Sequence, residues 1–283
     1  MIKLTSPSEI DSLMRRYDLR FHKRFGQNFL IDDNVLNRIA DAAEILPTDA
    51  VLEIGPGIGT LTRALSERAK KVTTVEIDTR LIPVLNETLS EYNNIKLINE
   101  DFLRLDLSDL GFSSDESIKV AANLPYYVTT PIIMKLLESD LSAERMTFLV
   151  QKEVGERLSA SPGTKAYGSL TVAARFYADC EKCFDVPASA FMPKPRVDST
   201  VIALTKRPAT YTPADKKIFF TIVKAAFSNR RKTLINSLTG NTSYDRDTLL
   251  TALSQAGIDP GIRGERLTGE DFAAIADGLA DTD

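Results

Sequence analysis

Histidine is almost missing from this sequence. His22 is the only one in 283 residues, which argues against hydrolases and nucleases built on a histidine base. Cysteine is nearly as scarce. Cys180 and Cys183 stand in a C-x-x-C spacing, yet a zinc site would need two more ligands and the lone histidine is far away in sequence. The flanks Phe176–Asp179 and Phe184–Val186 read as strand, whereas a redox pair opens a helix. Both residues are therefore read as structural thiols, and no metal is expected. Long apolar runs are also lacking. No stretch approaches the ~20 consecutive apolar residues of a membrane span, and Met1-Ile2-Lys3-Leu4-Thr5-Ser6-Pro7 has no apolar signal core. The expectation is a cytoplasmic protein without membrane contact. Nor is there an excess of positive charge: 35 Lys and Arg against 39 Asp and Glu give a net charge of −4, a poor average for binding phosphate. The charge is uneven, however. Arg15, Arg16, Arg20, Lys23 and Arg24 form one cluster, and Lys216, Lys217, Lys224, Arg230, Arg231 and Lys232 form another. Charge alone does not choose between solvated helix faces and phosphate-binding patches.

With 43% hydrophobic residues, the chain can bury one large core or two unequal ones. Apolar, β-branched runs recur at Ala50–Gly55, Val72–Ile77, Ile95–Ile98, Ile118–Ala122 and Met146–Val150, with amphipathic segments such as Gly59–Ala69 and Thr79–Tyr92 between them. Short buried strands alternating with helices imply a mostly parallel sheet covered on both faces. Tyr167–Phe176 then reads as helix, and Cys180–Val186 and Val197–Leu204 read as two strands that finish the sheet antiparallel. After a linker at Lys206–Pro213, only helical spacing follows, at Ile218–Phe227, Thr248–Ala256 and Asp271–Leu279. The expected organisation is an α/β domain over residues 1–205 and a small all-α domain over 206–283.

Glu53-Ile54-Gly55-Pro56-Gly57-Ile58-Gly59-Thr60 follows the first strand of this series and opens a helix. Glycines at such a turn let a ligand approach the backbone. Dinucleotide enzymes use G-x-G-x-x-G; here the spacing is G-x-G-x-G, with Thr60 where their third glycine belongs. This loop resembles the S-adenosylmethionine loop of class I methyltransferases, which places Gly55 and Gly57 against the cofactor in a Rossmann-like domain. Glu76 lies 21 residues after Gly55, at the end of the next strand, where a carboxylate can accept both ribose hydroxyl protons. Asp101 follows the third strand and can accept from the adenine amine of the cofactor. Each acid alone reads as a solvated strand end, but together they mark the carboxyl edge where open α/β sheets bind ligands.

The fourth strand runs into Asn123-Leu124-Pro125-Tyr126. In isolation this is an ordinary Asn-Pro turn. At this place it is suited to an adenine exocyclic amine, whose lone pair is delocalised into the ring. Two acceptors aimed at its N–H groups, the Asn123 side-chain oxygen and the Leu124 carbonyl, favour a pyramidal nucleophilic nitrogen. Pro125 fixes the turn, and Tyr126 offers a ring for an extruded base to stack on. Catalysis would then be mainly alignment and electrostatics.

Asn-Leu-Pro-Tyr, rather than the Asn-Pro-Pro-Tyr or Asp-Pro-Pro-Tyr of DNA adenine methyltransferases, resembles the ribosomal RNA adenine dimethyltransferases. Further matching stretches are Phe25-Gly26-Gln27-Asn28-Phe29-Leu30, Tyr126–Ile133 and Phe191-Met192-Pro193-Lys194-Pro195-Arg196-Val197-Asp198-Ser199. Ala225–Lys232 and Arg263–Leu267 resemble the small-subunit members more than the macrolide-resistance enzymes. The resemblance covers nearly the whole chain. It implies S-adenosylmethionine as cofactor, with Asn28, Leu30 and Asn123 joining its site, and Phe191 as a second stacking partner for the target adenine. It gives Arg20, Lys23 and Arg24 a place along RNA, and the patch through Arg230, Arg231 and Lys232 a part in docking the helical domain. The implied reaction is N6,N6-dimethylation of two adjacent adenosines near the 3′ end of small-subunit (16S) ribosomal RNA, by a monomer, on a nearly assembled 30S subunit. The rivals are a large-subunit adenine dimethyltransferase, a DNA adenine methyltransferase, and an assembly factor in which binding matters more than catalysis.

Overall fold

The computed structural model describes residues 2–19, 27–113 and 116–280. His22 and three residues expected along RNA, Arg20, Lys23 and Arg24, lie outside the described residues. The chain divides into two compact units, Met1–Gly155 with Glu181–Lys206, and Glu156–Cys180 with Arg207–Asp283.

In chain order the elements up to the last strand are α1 (Pro7–Arg16), β1 (Phe29–Leu30), α2 (Asp33–Ala42), β2 (Ala50–Ile54), α3 (Thr60–Ser66), β3 (Lys71–Glu76), α4 (Ile82–Thr88), β4 (Ile95–Asn99), β5 (Ile118–Asn123), α5 (Thr129–Glu138), β6 (Ala143–Gln151), α6 (Lys152–Leu158), α7 (Ser169–Tyr177), β7 (Ala178–Val186), β8 (Phe191–Met192) and β9 (Ser199–Lys206). The large sheet has the order β4-β3-β2-β5-β6-β9-β7. Strands β4 to β6 are mutually parallel, and β9 runs antiparallel to β6, which gives the expected antiparallel finish. All five residues of β2 are buried, because helices cover both faces of a parallel sheet. The chain runs outward from β2 through β3 to β4 and then crosses back to β5 on the other side of β2, so a crevice opens at the carboxyl ends of β2 and β5.

A second, two-stranded ladder pairs Phe29 with Met192 and Leu30 with Phe191. It joins two segments that only the resemblance had linked, since strands of two residues carry no periodicity. Helix α2 begins directly after this ladder, and Asp32 caps it by accepting from the Asn34 and Val35 amides at 2.9 and 3.2 Å, a bond worth about 1 kcal/mol. Cys180 and Cys183 are reduced thiols on β7; three positions apart on a strand, they face opposite sides.

The second unit adds α8 (Lys216–Ala226), α9 (Leu234–Thr239), α10 (Arg246–Gln255) and α11 (Gly269–Ala280). Its interior is built from Phe219, Ile222, Leu234, Leu238, Leu253, Phe272 and their neighbours. The division expected at residues 205 and 206 differs from the compact units in one segment, Glu156–Cys180. The reason is the apolar stripe of α7: Val172 and Phe176 are buried in the second unit's core, with the Phe176 ring 5.3 Å from Phe219 and 5.6 Å from Tyr211. Among the described residues no helix is long and apolar enough to cross a membrane.

Candidate active site

The cavity at the carboxyl edge is lined by Gln27–Leu30, Glu53–Gly57, Thr60, Glu76, Ile77, Glu100–Leu103 and Asn123–Val128, among others. Four successive strand ends thus meet there: Gly55 after β2, Glu76 ending β3, Asp101 after β4 and Asn123 ending β5. Of the residues proposed from the sequence for cofactor and chemistry, all but Phe191 line this one cavity.

The floor is backbone. Gly57 has φ +62°, and a Cβ there would meet the Phe29 ring at 3.0 Å, so only glycine lets the loop lie this close to β1. Its amide donates to Glu76 Oε2 at 3.3 Å, while the Asp78 amide donates to Glu76 Oε1 at 2.7 Å. Gln27 Nε2 donates to Asp78 Oδ2 at 3.0 Å, which ties the segment before β1 to the acid-bearing turn. Although desolvation opposes it, bonds from Arg80 and Gln27 hold the Asp78 carboxyl below its ordinary value. Glu76 behaves differently. Burial raises its carboxyl to about 7, against the amides of Asp78 and Gly57 that favour the ion. Glu53, one residue before the end of β2, is also raised to about 7 by burial, with the Thr62 hydroxyl donating to it at 2.6 Å and the Glu76 charge adding to the shift. Two acids at one crevice are therefore poised near neutrality, which is a common signature of a functional site.

Asp101 sits in a single helical turn, its Oδ1 accepting from the Leu103 amide at 2.9 Å and its Oδ2 lying 3.6 Å from Arg104 Nε. Leu103 and Ile77, with 37% and 42% of their surface exposed, both line the cavity. Exposed apolar side chains at a mouth fit the faces of a planar ring. The sequence reading missed them because no motif marks them. It also missed Gln27, although that residue lies inside a matching stretch, and Thr60, whose buried hydroxyl has no partner among the described residues.

Asn123 Nδ2 donates to the Asn28 carbonyl at 3.1 Å. A carbonyl can be faced only by the NH₂ side of an amide, so this contact fixes the side chain and leaves Oδ1 to accept. The Leu124 amide is used by the Leu149 carbonyl at 3.1 Å, and the turn's internal bonds, from the Val128 amide and Thr129 Oγ1, go to the Pro125 carbonyl. Among the described residues no hydrogen bond claims the Leu124 carbonyl. Tyr126 is half-buried, its hydroxyl 2.7 Å from Ser199 Oγ, and burial pushes its pKa up. The ring is thus anchored at its polar end. Phe191 is placed otherwise: only 3% exposed, it packs in the apolar cluster with Leu30, Val186 and Val201.

The second basic patch is also divided. Arg230 donates to the carbonyls of Lys165 and Tyr167 at 2.5 and 2.8 Å and lies 4.0 Å from Glu265; all three cations are exposed, but among the described residues only Arg230 of the three is tied down by its side chain.

Ribosomal RNA small subunit methyltransferase A of Bacillus cytotoxicus is 47% identical over 286 aligned positions, covering 99% of this chain and 98% of its own. The protein of the same name from Bacillus cereus is 46% identical over the same shares. Among solved structures, the 23S rRNA methyltransferase ErmE aligns with TM-score 0.68 and 31% identity over 89% of this chain and 100% of its own. A dimethyladenosine transferase from Plasmodium falciparum aligns with TM-score 0.72 and 27% identity over 87% of this chain and 95% of its own. Residues 18–281 match the family described as Ribosomal RNA adenine dimethylase. A match of that length, joined to these identities, shows that the chain belongs to the ribosomal RNA adenine dimethylase family.

Proposed function

We propose that this protein transfers methyl groups from S-adenosylmethionine to N6 of two adjacent adenosines near the 3′ end of small-subunit ribosomal RNA, giving N6,N6-dimethyladenosine. The observation that carries the reading is the Asn123 amide. Its Nδ2 is committed to the Asn28 carbonyl, so Oδ1 and the unclaimed Leu124 carbonyl form a pair of acceptors on one turn. The lining fits the cofactor. Glu76 offers two oxygens already oriented by amides, Asp101 an acceptor, Ile77 and Leu103 apolar walls, and Thr60 a hydroxyl with no partner among the described residues. Gly55 and Gly57 supply a floor of main chain, and Asn28 and Leu30 close one side.

S-adenosylmethionine, when bound, supplies an electrophilic methyl group on a sulfonium. Asn123 Oδ1 and the Leu124 carbonyl accept hydrogen bonds from the two amine N–H groups and favour a pyramidal nitrogen, Pro125 holds the turn, and the Tyr126 ring, tethered by Ser199, takes the base face. The amine proton departs to solvent after transfer, so these residues align the nucleophile without acting as a base. Phe191 gives the target ring a second face if its side chain turns out of the apolar cluster. Arg20, Lys23, Arg24, Arg231 and Lys232 bind RNA, while Arg230 holds the loop that presents its neighbours. The protein acts in the cytoplasm as a monomer on a nearly assembled 30S subunit, with the helical domain docking it.

The test uses small subunits from a strain lacking the enzyme, labelled S-adenosylmethionine, and mapping of the modified nucleotides. Label on two adjacent adenosines near the 3′ end supports the reading. Label on large subunits or duplex DNA, and none on small subunits, overturns it.

A further inference from the structure

Behind the cavity, three main-chain carbonyls converge on one cation. Residues 101–105 form a single helical turn, closed by the Arg104 and Leu105 amides donating to the Asp101 carbonyl at 2.9 and 3.0 Å. The short 3₁₀ turn that follows, Leu107–Leu110, makes no bond among the described residues to the carbonyls of Phe102, Leu103 or Leu105, which its predecessor leaves open. Lys135, on α5, supplies what is missing. Its ammonium donates to the carbonyls of Phe102, Leu103 and Leu105 at 2.8, 3.1 and 2.5 Å, which occupies all three of its protons. The ammonium also lies 5.3 Å from the Phe102 ring centroid. A compact ammonium can serve three carbonyls that are not coplanar, a task for which a flat guanidinium fork is less suited.

The two ends of this contact matter for the site. One end is the turn that carries Asp101, Phe102 and Leu103, all lining the cavity. The other is α5, which grows directly out of the Asn123–Tyr126 turn: Thr129 Oγ1 donates to the Pro125 carbonyl at 3.0 Å, and the Ile132 amide to the Val128 carbonyl at 3.1 Å. One side chain therefore fastens the turn bearing Asp101 to the helix that continues the amine-accepting turn.

We infer that Lys135 is a positioning residue for the cofactor, holding the 101–105 turn so that Asp101 faces the adenine of S-adenosylmethionine. The inference rests on the proposed use of this cavity. It separates from a merely stabilising role because Lys135 acts chiefly through Asp101, and most of its effect must disappear when Asp101 is gone.

The experiment measures S-adenosylhomocysteine binding by titration calorimetry for the full chain and for K135M, D101A and the double variant. K135M weakens binding about tenfold when Asp101 is present and less than about twofold in the D101A background. In steady state, K135M raises KM for S-adenosylmethionine about tenfold and leaves kcat within about twofold at saturation. K135R keeps the charge and should lose about threefold, again only with Asp101 present; if K135M does not fold, the same cycle with K135R decides. Unchanged binding in K135M, or equal loss in both backgrounds, overturns the inference while the cavity assignment stands. Failure of the unsubstituted protein to bind S-adenosylhomocysteine overturns both.

Discussion

The two compact units spend their interiors differently. The first buries five charged side chains, Asp49, Glu53, Glu76, Asp78 and Lys119, whereas the second buries none among the described residues. The interior of the second is instead apolar and aromatic, with rings of Phe176, Tyr211, Phe219 and Phe220 in mutual contact. Burying a charge is costly unless it is paired or bonded. Three of the five, Glu53, Glu76 and Asp78, lie at the carboxyl edge where β2 and β3 end. The first unit has thus given up stability to keep polar groups where a ligand can use them. The second has kept its interior for packing and carries its charge outside.

The largest expected effect tests the packing side of this contrast. Phe219 is fully buried, so F219A should lower the unfolding free energy by about 3–5 kcal/mol. Below the unfolding transition, S-adenosylhomocysteine affinity should stay within about twofold. Loss of binding by a folded F219A protein would break the division. N123A tests the other side. It should lower methyl transfer about 10²–10³-fold, or about 3–4 kcal/mol, while small-subunit binding and unfolding change little. Transfer at the unsubstituted rate would remove Asn123 from the chemistry.

The buried acids supply a pH test with a definite sign. Glu76 and Glu53 are raised from 4.5 to about 7, chiefly by desolvation. Between those values the folded protein holds protons that the unfolded chain has released, so stability falls as pH rises from about 4.5 to about 7. The loss is about 3 kcal/mol for each acid, and urea unfolding at pH 5 and 8 should show it. E76Q should flatten the slope. Binding runs the other way, because accepting ribose hydroxyls requires the ionised carboxylate. S-adenosylhomocysteine should bind about tenfold more weakly at pH 6 than at pH 8, and E76Q should bind weakly at both. A flat profile in the unsubstituted protein would remove Glu76 from the cofactor contact.

This contrast also explains what could be read from the sequence. The strands β2 to β6 announced themselves as apolar runs, and Gly55, Glu76, Asp101 and Asn123 were visible because each stands at the end of such a run. The helix α9, with six residues, is too short to show a period. The β1–β8 ladder is a long-range pairing of two dipeptides. Its consequence for Phe191, burial against Leu30, follows from tertiary packing alone. Segment Glu156–Cys180 lies between strands of the first unit, so chain order assigns it there, while its apolar stripe packs it in the second. Arg230 and Lys135 share one kind of invisibility. Both are held by main-chain carbonyls, and a carbonyl leaves no mark on residue type.

The smallest effect concerns the surface of the second unit. Arg230, Arg231 and Lys232 look alike as sequence and are all exposed, but Arg230 is bonded to the carbonyls of Lys165 and Tyr167. Exposed cations that neutralise phosphates release counterions, so their contribution to binding must shrink as salt rises. R231E and K232E should each weaken small-subunit binding several-fold at about 50 mM salt and much less at about 200 mM, with unfolding unchanged. R230Q should instead lower stability by about 1 kcal/mol, the cost of weakening one exposed and one part-buried bond to main-chain carbonyls, and its binding defect should not depend on salt. If R230Q showed the salt-dependent loss and R231E did not, Arg230 would be the phosphate contact, and the bonds to Lys165 and Tyr167 would not be what holds it in solution.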